Sequence, residues 1–115
     1  MSIRVVVGIR SREVRTALFV ALDSLQGMHV VGSATSAAET TTLCRTLKPD
    51  VAILEQGLSD WELDDLLDSV VEPIGSGTVL VVSHDNVTDV VNRYENVRLL
   101  DGIDEISEAM NGLRS

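Results

Sequence analysis

Apolar residues along this chain fall into two alternating kinds of run. Short β-branched blocks occupy residues 3–7, 28–32, 51–54, 78–82 and 97–100, and each reads as a strand. Between them, apolar residues recur every three or four positions, the spacing of one helix face. Val14, Leu18, Ala21, Leu22 and Leu25 predict a helix over 12–25, with Ser11 placed to cap it and Gly27 to stop it. Ser36 and Glu39 form a capping box for a second helix, whose inner face is Thr40, Leu43, Cys44 and Leu47; Pro49 ends it. Ser59 and Glu62 make a second box before Leu63, Leu66, Leu67 and Val70, and Pro73, Gly75, Ser76 and Gly77 mark a loop. A short fourth helix is expected after Asp85, using Val87, Val90, Val91 and Tyr94, although its β-branched valines lower its propensity. Asp101 is placed to cap a last helix with Ile103, Ile106, Met110 and Leu113 inward.

The order is strand then helix, five times over. That implies βαβ units with right-handed crossovers and a parallel sheet covered on both faces. The blocks at 51–54 and 78–82 are apolar on both faces and belong at the sheet centre. No repeat, linker or low-complexity segment interrupts the pattern, so residues 1–115 are expected to form one domain.

Composition narrows the picture. Aromatics are 3% of residues, so Val, Leu and Ile must fill the core. The lone Cys44 allows no internal disulfide and no Cys-rich metal site, and fits a cytoplasmic setting. No signal peptide is seen at the N-terminus, and no apolar run approaches the roughly 20 residues of a membrane helix. A net charge of −9 disfavours direct nucleic-acid binding.

In open parallel sheets, ligands bind beyond the carboxyl ends of the strands. The loops to inspect are 8–11, 55–59, 83–85 and 101–102. Gly8-Ile9-Arg10-Ser11 lacks the later glycines of a dinucleotide loop and is no P-loop. It is also too poor in Ser, Thr and Gly for a flavin phosphate. His84 and Asp85 follow the fourth strand, but Ser83, adjacent in sequence, is poorly placed to act as their nucleophile; a loop histidine beside a helix cap is the better reading. His29 has no second ligand in view, and Cys44 reads as a small core residue. No catalytic residue, metal site or cofactor is expected.

Ile3-Arg4-Val5-Val6-Val7, the 28–34 stretch, Lys48-Pro49-Asp50-Val51-Ala52-Ile53-Leu54 and the 78–85 stretch resemble the CheY-like receiver domain of bacterial response regulators. The resemblance covers essentially the whole chain, and the Lys-Pro-Asp-Val-x-x-Leu segment is its most specific part. It implies a flavodoxin-like (βα)5 three-layer sandwich with sheet order 2-1-3-4-5. It also implies a phosphoryl site built from an acidic pair after the first strand, an Asp ending the third, a hydroxyl ending the fourth and a Lys ending the fifth. Here the acidic pair falls on Ile9 and Arg10, and the phosphoacceptor on Glu55. The hydroxyl position falls on Val82, with Ser83 one place later, and the lysine position on Asp101.

These departures remove the chemistry. Mg²⁺ wants oxygen ligands in near-octahedral geometry; Ile9 offers none and Arg10 brings a positive charge. A phosphoryl group in flight needs cationic clamps, and Asp101 has the opposite sign. Glu55 carries one methylene too many for an in-line geometry that tolerates little error. Glu55 could imitate a phosphorylated state or pair with Arg10, but mimicry needs the missing hydroxyl and lysine to respond, so a solvated carboxylate at a strand end is favoured.

The resulting expectation is a degenerate receiver acting through protein contacts. Its partner is a separate protein or a linked output domain beyond residue 115, and an atypical receiver of this kind resembles the one preceding the ATPase of pilus-assembly localisation proteins. Trp61, with Asp60, Glu62, Asp64, Asp65 and Asp68, forms an acidic patch that suits a basic partner or is simply a solvated helix face. From the resemblance, the face of the fourth helix, fifth strand and fifth helix is the expected homodimer surface, with Val87, Val90, Val91 and Tyr94 partly exposed on it. Two alternatives stay open. One is a working phosphoacceptor in a two-component phosphorelay, with Asp50 or Asp60 compensating. The other is an enzyme or small-ligand binder using the same loops.

Overall fold

Alternating side chains decide how the strands are buried. In the computed structural model, which describes residues 2–58, 61–83 and 85–114 (backbone alone at 103, 113 and 114), five parallel strands lie in the order β2-β1-β3-β4-β5. They are β1 (Ile3–Gly8), β2 (Met28–Ala34), β3 (Val51–Glu55), β4 (Thr78–Val82) and β5 (Val97–Leu100). The helices are α1 (Arg12–Asp23), α2 (Ala37–Leu47), α3 (Leu63–Ile74), α4 (Thr88–Val91) and α5 (Ile106–Arg114), with a 3-10 turn at Ile103–Glu105. The chain has the flavodoxin-like (βα)5 architecture expected from its sequence.

Two cores result, one per sheet face. Val5, Val7, Ile53, Leu80 and Val82 pack against Leu18 and Leu22 of α1 and Ile106 and Met110 of α5. Their neighbours Val6, Ala52, Leu54, Val79 and Val81 point the other way, onto Cys44 of α2, Leu67 and Val70 of α3, and Val91. The strand period of two thus feeds both layers at once.

The Lys-Pro-Asp segment closes the amino end of the sheet. Lys48 takes a left-handed conformation (φ 45°) that stops α2, and Pro49 cannot continue it. Arg4 reaches across from β1 and donates from Nη1 to the carbonyls of Leu47 (2.7 Å) and Lys48 (3.3 Å). Its backbone N–H donates to Asp50 Oδ2 (2.9 Å), while the Asp50 N–H returns to the Arg4 carbonyl (2.9 Å). One arginine and one aspartate therefore cap a helix and start the β1/β3 pairing together.

Several elements differ from expectation. Helix α3 begins at Leu63, with Glu62 at its cap position and no side-chain cap bond, so Glu62 is not the fourth residue of a box; Ser59 lies outside the described residues, as do Asp60, His84 and the side chains of Ile103 and Leu113. Pro73 sits in the last turn of α3 instead of the loop, where Gly75 caps by donating to Val71 and Glu72 carbonyls. Helix α4 is a single turn. Its β-branched residues and the uncapped Val87 give it little intrinsic support. At the start of α5, the Asp101 backbone N–H donates to the Glu105 carboxylate, the reverse of a cap by the Asp101 side chain.

Gly77 is the tightest point between α3 and β4. A Cβ there would stand 2.5 Å from the Asp50 carbonyl oxygen, a backbone atom that cannot swing aside. Gly77→Ala is expected to lower stability by about 1–3 kcal/mol, read from urea unfolding. An unchanged midpoint would show that this junction has slack.

Candidate functional site

Parallel pairing gathers the strand carboxyl ends into one shallow depression of about 560 Å³. It is lined by Val14, Glu55, Gln56, Val82, Ser83, Asp85, Gly102 and Asp104. The sheet ladder runs one residue past the strands and holds these loops. Ile9 N–H donates to Ala34 O (3.1 Å), Gln56 N–H to Val82 O (3.1 Å) and Ser83 N–H to Leu100 O (3.0 Å).

Ile9 is fully buried in the α1/α5 core, so an apolar side chain stands where a metal ligand was sought. Its carbonyl is taken by Arg15 Nη1 (3.2 Å). Glu55 turns toward the β1–α1 loop. Its Oε2 accepts from the backbone N–H of Arg10 (2.9 Å) and of Ser11 (3.3 Å). The Arg10–Glu55 contact is therefore made by backbone, while the Arg10 side chain is exposed. Ser11 is also the N-cap of α1, accepting from Val14 N–H, so the carboxylate sits at the positive end of that helix.

Val82 pairs with Glu55 across β3 and β4 and packs in the α1/α5 core. The hydroxyl in the depression belongs to Ser83, which is 6% exposed. It donates to Gln56 Oε1 and accepts from Asp85 N–H (3.0 Å), so its bonding capacity is spent on its own loops. Asp101 is exposed at the end of β5. Among the described residues, the lining carries the carboxylates of Glu55, Asp85 and Asp104 and no cationic side chain. Among the described residues, no three His, Cys, Asp or Glu side chains converge as a metal site. Asp50 lies at the amino end of β3, opposite Glu55, and is held by Arg4, so it cannot compensate.

Gln56, Asp104 and Arg15 were not singled out in the sequence. Gln56 follows Glu55 directly, and its role follows only from Ser83 lying just beyond the pairing of Glu55 with Val82. Arg15 acts through a carbonyl, which leaves no mark on a sequence.

A second concavity, about 490 Å³, lies between the start of α3 and α4. Trp61 (40% exposed), Leu63, Val87 and Val90 line it, with Glu62, Asp64 and Asp85 among its acids. The apolar residues expected on a free α4 surface are largely used inward. Val91 is buried, and Val87, Val90 and Tyr94 pack against the core as partly buried residues. The Tyr94 hydroxyl donates to Asp68 Oδ1 and to the Asp64 carbonyl (3.3 Å), tying the α4–β5 loop to α3. Burial pushes the Tyr94 hydroxyl up to about 12, helped by the Asp68 hydrogen bond and the charges of Asp68 and Asp64, against a lowering by Arg93. Cys44 is buried in the α2/α3 core, and that burial raises its thiol to about 11.

No family model and no curated protein matches the chain. Solved structures do. The signal receiver domain of NarL from Mycobacterium tuberculosis aligns at 24% identity and TM-score 0.80, covering 97% of this chain and 95% of that one. The response regulator domain of CheB from Thermotoga maritima gives 23% and 0.83, covering 99% and 95%. The isolated REC domain of RcsB from Salmonella enterica serovar Typhimurium gives 15% and 0.82, covering 99% and 89%. At these identities the likeness establishes the fold, which is the receiver fold.

Two measurements check this geometry. Arg10→Ala is expected to leave stability unchanged, because the bonding group is the backbone, whereas Glu55→Ala should cost about 1–2 kcal/mol in chemical unfolding. Equal losses would mean that the guanidinium is the partner after all. Tyr94 is the only tyrosine, so absorbance titration reads it alone. Its raised folded value means that stability is fully present below pH 10 and is lost as pH climbs from 10 toward 12. A midpoint at 10 would remove the Asp68 contact from solution.

Proposed function

We propose that this domain is a receiver-type signalling module that works through protein contacts without being phosphorylated. The observation that carries the reading is the Glu55 carboxylate, bonded to the β1–α1 backbone where a receiver would hold Mg²⁺ against an acidic pair. A metal ion there would have to displace bonds already made and would find Ile9 instead of a ligand. A phosphoryl group would enter a depression lined by carboxylates, with Asp101 at the position of the clamping lysine. Ser83 is no free acceptor, since its hydroxyl is committed to Gln56. This reading gives the domain no catalytic step, no cofactor and a cytoplasmic place in two-component signalling. No described helix is long and apolar enough to cross a membrane.

The partner is a protein or a linked output domain. The Trp61 groove between α3 and α4 supports a basic, apolar-tipped segment as its occupant, because an aromatic side chain is flanked there by three acids, Glu62, Asp64 and Asp85, against one cation, Arg93.

Incubation with acetyl phosphate and Mg²⁺, followed by intact-mass measurement, is expected to show the unmodified chain alone. A stable phosphoryl adduct would overturn the reading. Its position, mapped by peptide sequencing, would then decide between Glu55, Ser83 and a residue outside this depression.

A further inference from the structure

We infer that a second copy of this chain docks on the α1–β2 edge, around a two-fold axis beside Val20 and Val30. The inference stands independently of how the strand-end depression is read. Among the described residues, the exposed large apolar side chains are Val20 (68%), Trp61 (40%), Val30 (39%) and Val31 (37%). Three of the four lie on this one edge. Val30 follows Met28 by two positions, so both face α1. Together with Phe19, Val20 and Leu22 they line a concavity of about 530 Å³, whose two polar lining residues are Asp23 and His29.

The strand itself is open. β2 pairs only with β1, so its outer side offers unpaired backbone groups. Met-His-Val-Val-Gly-Ser-Ala contains no lysine, acid or proline to discourage a neighbour, and its one irregularity is the register shift between Val5 and Val6 that leaves Val31 unpaired. The opposite edge is guarded: β5 has four residues and an exposed Arg98.

Charge selects the occupant. Residues 1–50, which build β1, α1, β2 and α2, carry six basic and four acidic side chains. Residues 51–115 carry three basic and fourteen acidic ones. The sheet order places these halves at opposite edges. Two copies meeting at the β5 edge would bring two strongly acidic surfaces together. Two copies meeting at β2 bring the nearly balanced halves into contact and carry the acidic halves to the far ends. The α4, β5 and α5 face expected from the family resemblance has less apolar surface to offer, since Val91 is buried and Val87, Val90 and Tyr94 are partly buried against the core.

Charge also offers a rival arrangement, in which the acidic half of one copy meets the arginines of α1 on the next. Salt separates the two, because screening weakens a charge-held contact and leaves an apolar one intact. Sedimentation equilibrium of the full chain at 0.1 M and 0.5 M NaCl is expected to show a monomer–dimer equilibrium that persists at the higher salt. Val20→Glu should raise the dissociation constant at least tenfold with unchanged circular dichroism. Val30→Thr, which keeps the side-chain shape, should raise it less, and Arg98→Glu should leave it unchanged. A monomer throughout, a dimer dispersed by salt, or a dimer sensitive to Arg98→Glu and indifferent to Val20→Glu would each overturn the inference.

Discussion

Five parallel strands must be covered on both faces, because every crossover lays a helix on the sheet and leaves neither face to water. Nearly everything else in this molecule follows from that. β3 and β4 are apolar almost throughout, since their side chains alternate into two different cores. Polar groups are driven to the strand ends, and there they divide the labour. At the amino end Arg4 and Asp50 join β1, α2 and β3. At the carboxyl end Glu55 joins β3 to the loop that opens α1. The motif that most resembles a receiver is thus a fastening at the end away from any chemistry. Its presence speaks for architecture, and the residues at the other end speak about function.

At that other end a carboxylate is bonded to the chain's own backbone. A cluster of carboxylates around a metal is unsatisfied until the ion arrives, and so it can respond to the ion. Here Glu55 is already bonded to backbone, Ile9 is buried hydrocarbon, and the Ser83 hydroxyl is bonded to its neighbours. A ligand shifts a conformational equilibrium only by its differential affinity for the two states. A site whose groups are already paired offers little such difference. The fold keeps the shape of a receiver, while Glu55 and Ser83 at its strand ends are already bonded to the chain's own loops.

Much of the architecture was legible in the sequence, because strands apolar on both faces and helices with capped, periodic faces leave local marks. Ser36 does accept from Glu39 N–H, and Ser11 from Val14 N–H, as their positions suggest. The failures have physical causes. α4 shrinks to one turn because its valines are held by tertiary packing and not by helix propensity. Pro73 stays helical although it has no N–H to give the turn before it, because Ile74 is anchored in the core and Gly75 closes the turn on the Val71 and Glu72 carbonyls. At the site, Glu55 was read as a solvated carboxylate, with a charge pair to Arg10 as the alternative, whereas the structure bonds it to the Arg10 and Ser11 amides, groups every such residue possesses. A sequence shows side chains, and this contact is half backbone. Ser83 was placed second to Val82 for a similar reason. Which residue leaves the sheet first depends on where pairing ends, and that is fixed by the partner strands.

Cys44 has a practical consequence. It is the sole thiol, closed in between α2 and the sheet and held protonated well above neutral pH, so it is a poor nucleophile toward maleimides and mild oxidants. A cysteine introduced at an exposed position would therefore be the single labelling handle on an otherwise native chain, without first removing a core residue. The same burial makes Cys44 a built-in reporter: its reaction with a thiol reagent counts the openings of the α2 layer, one molecule at a time, in a protein with one tryptophan and little else to observe.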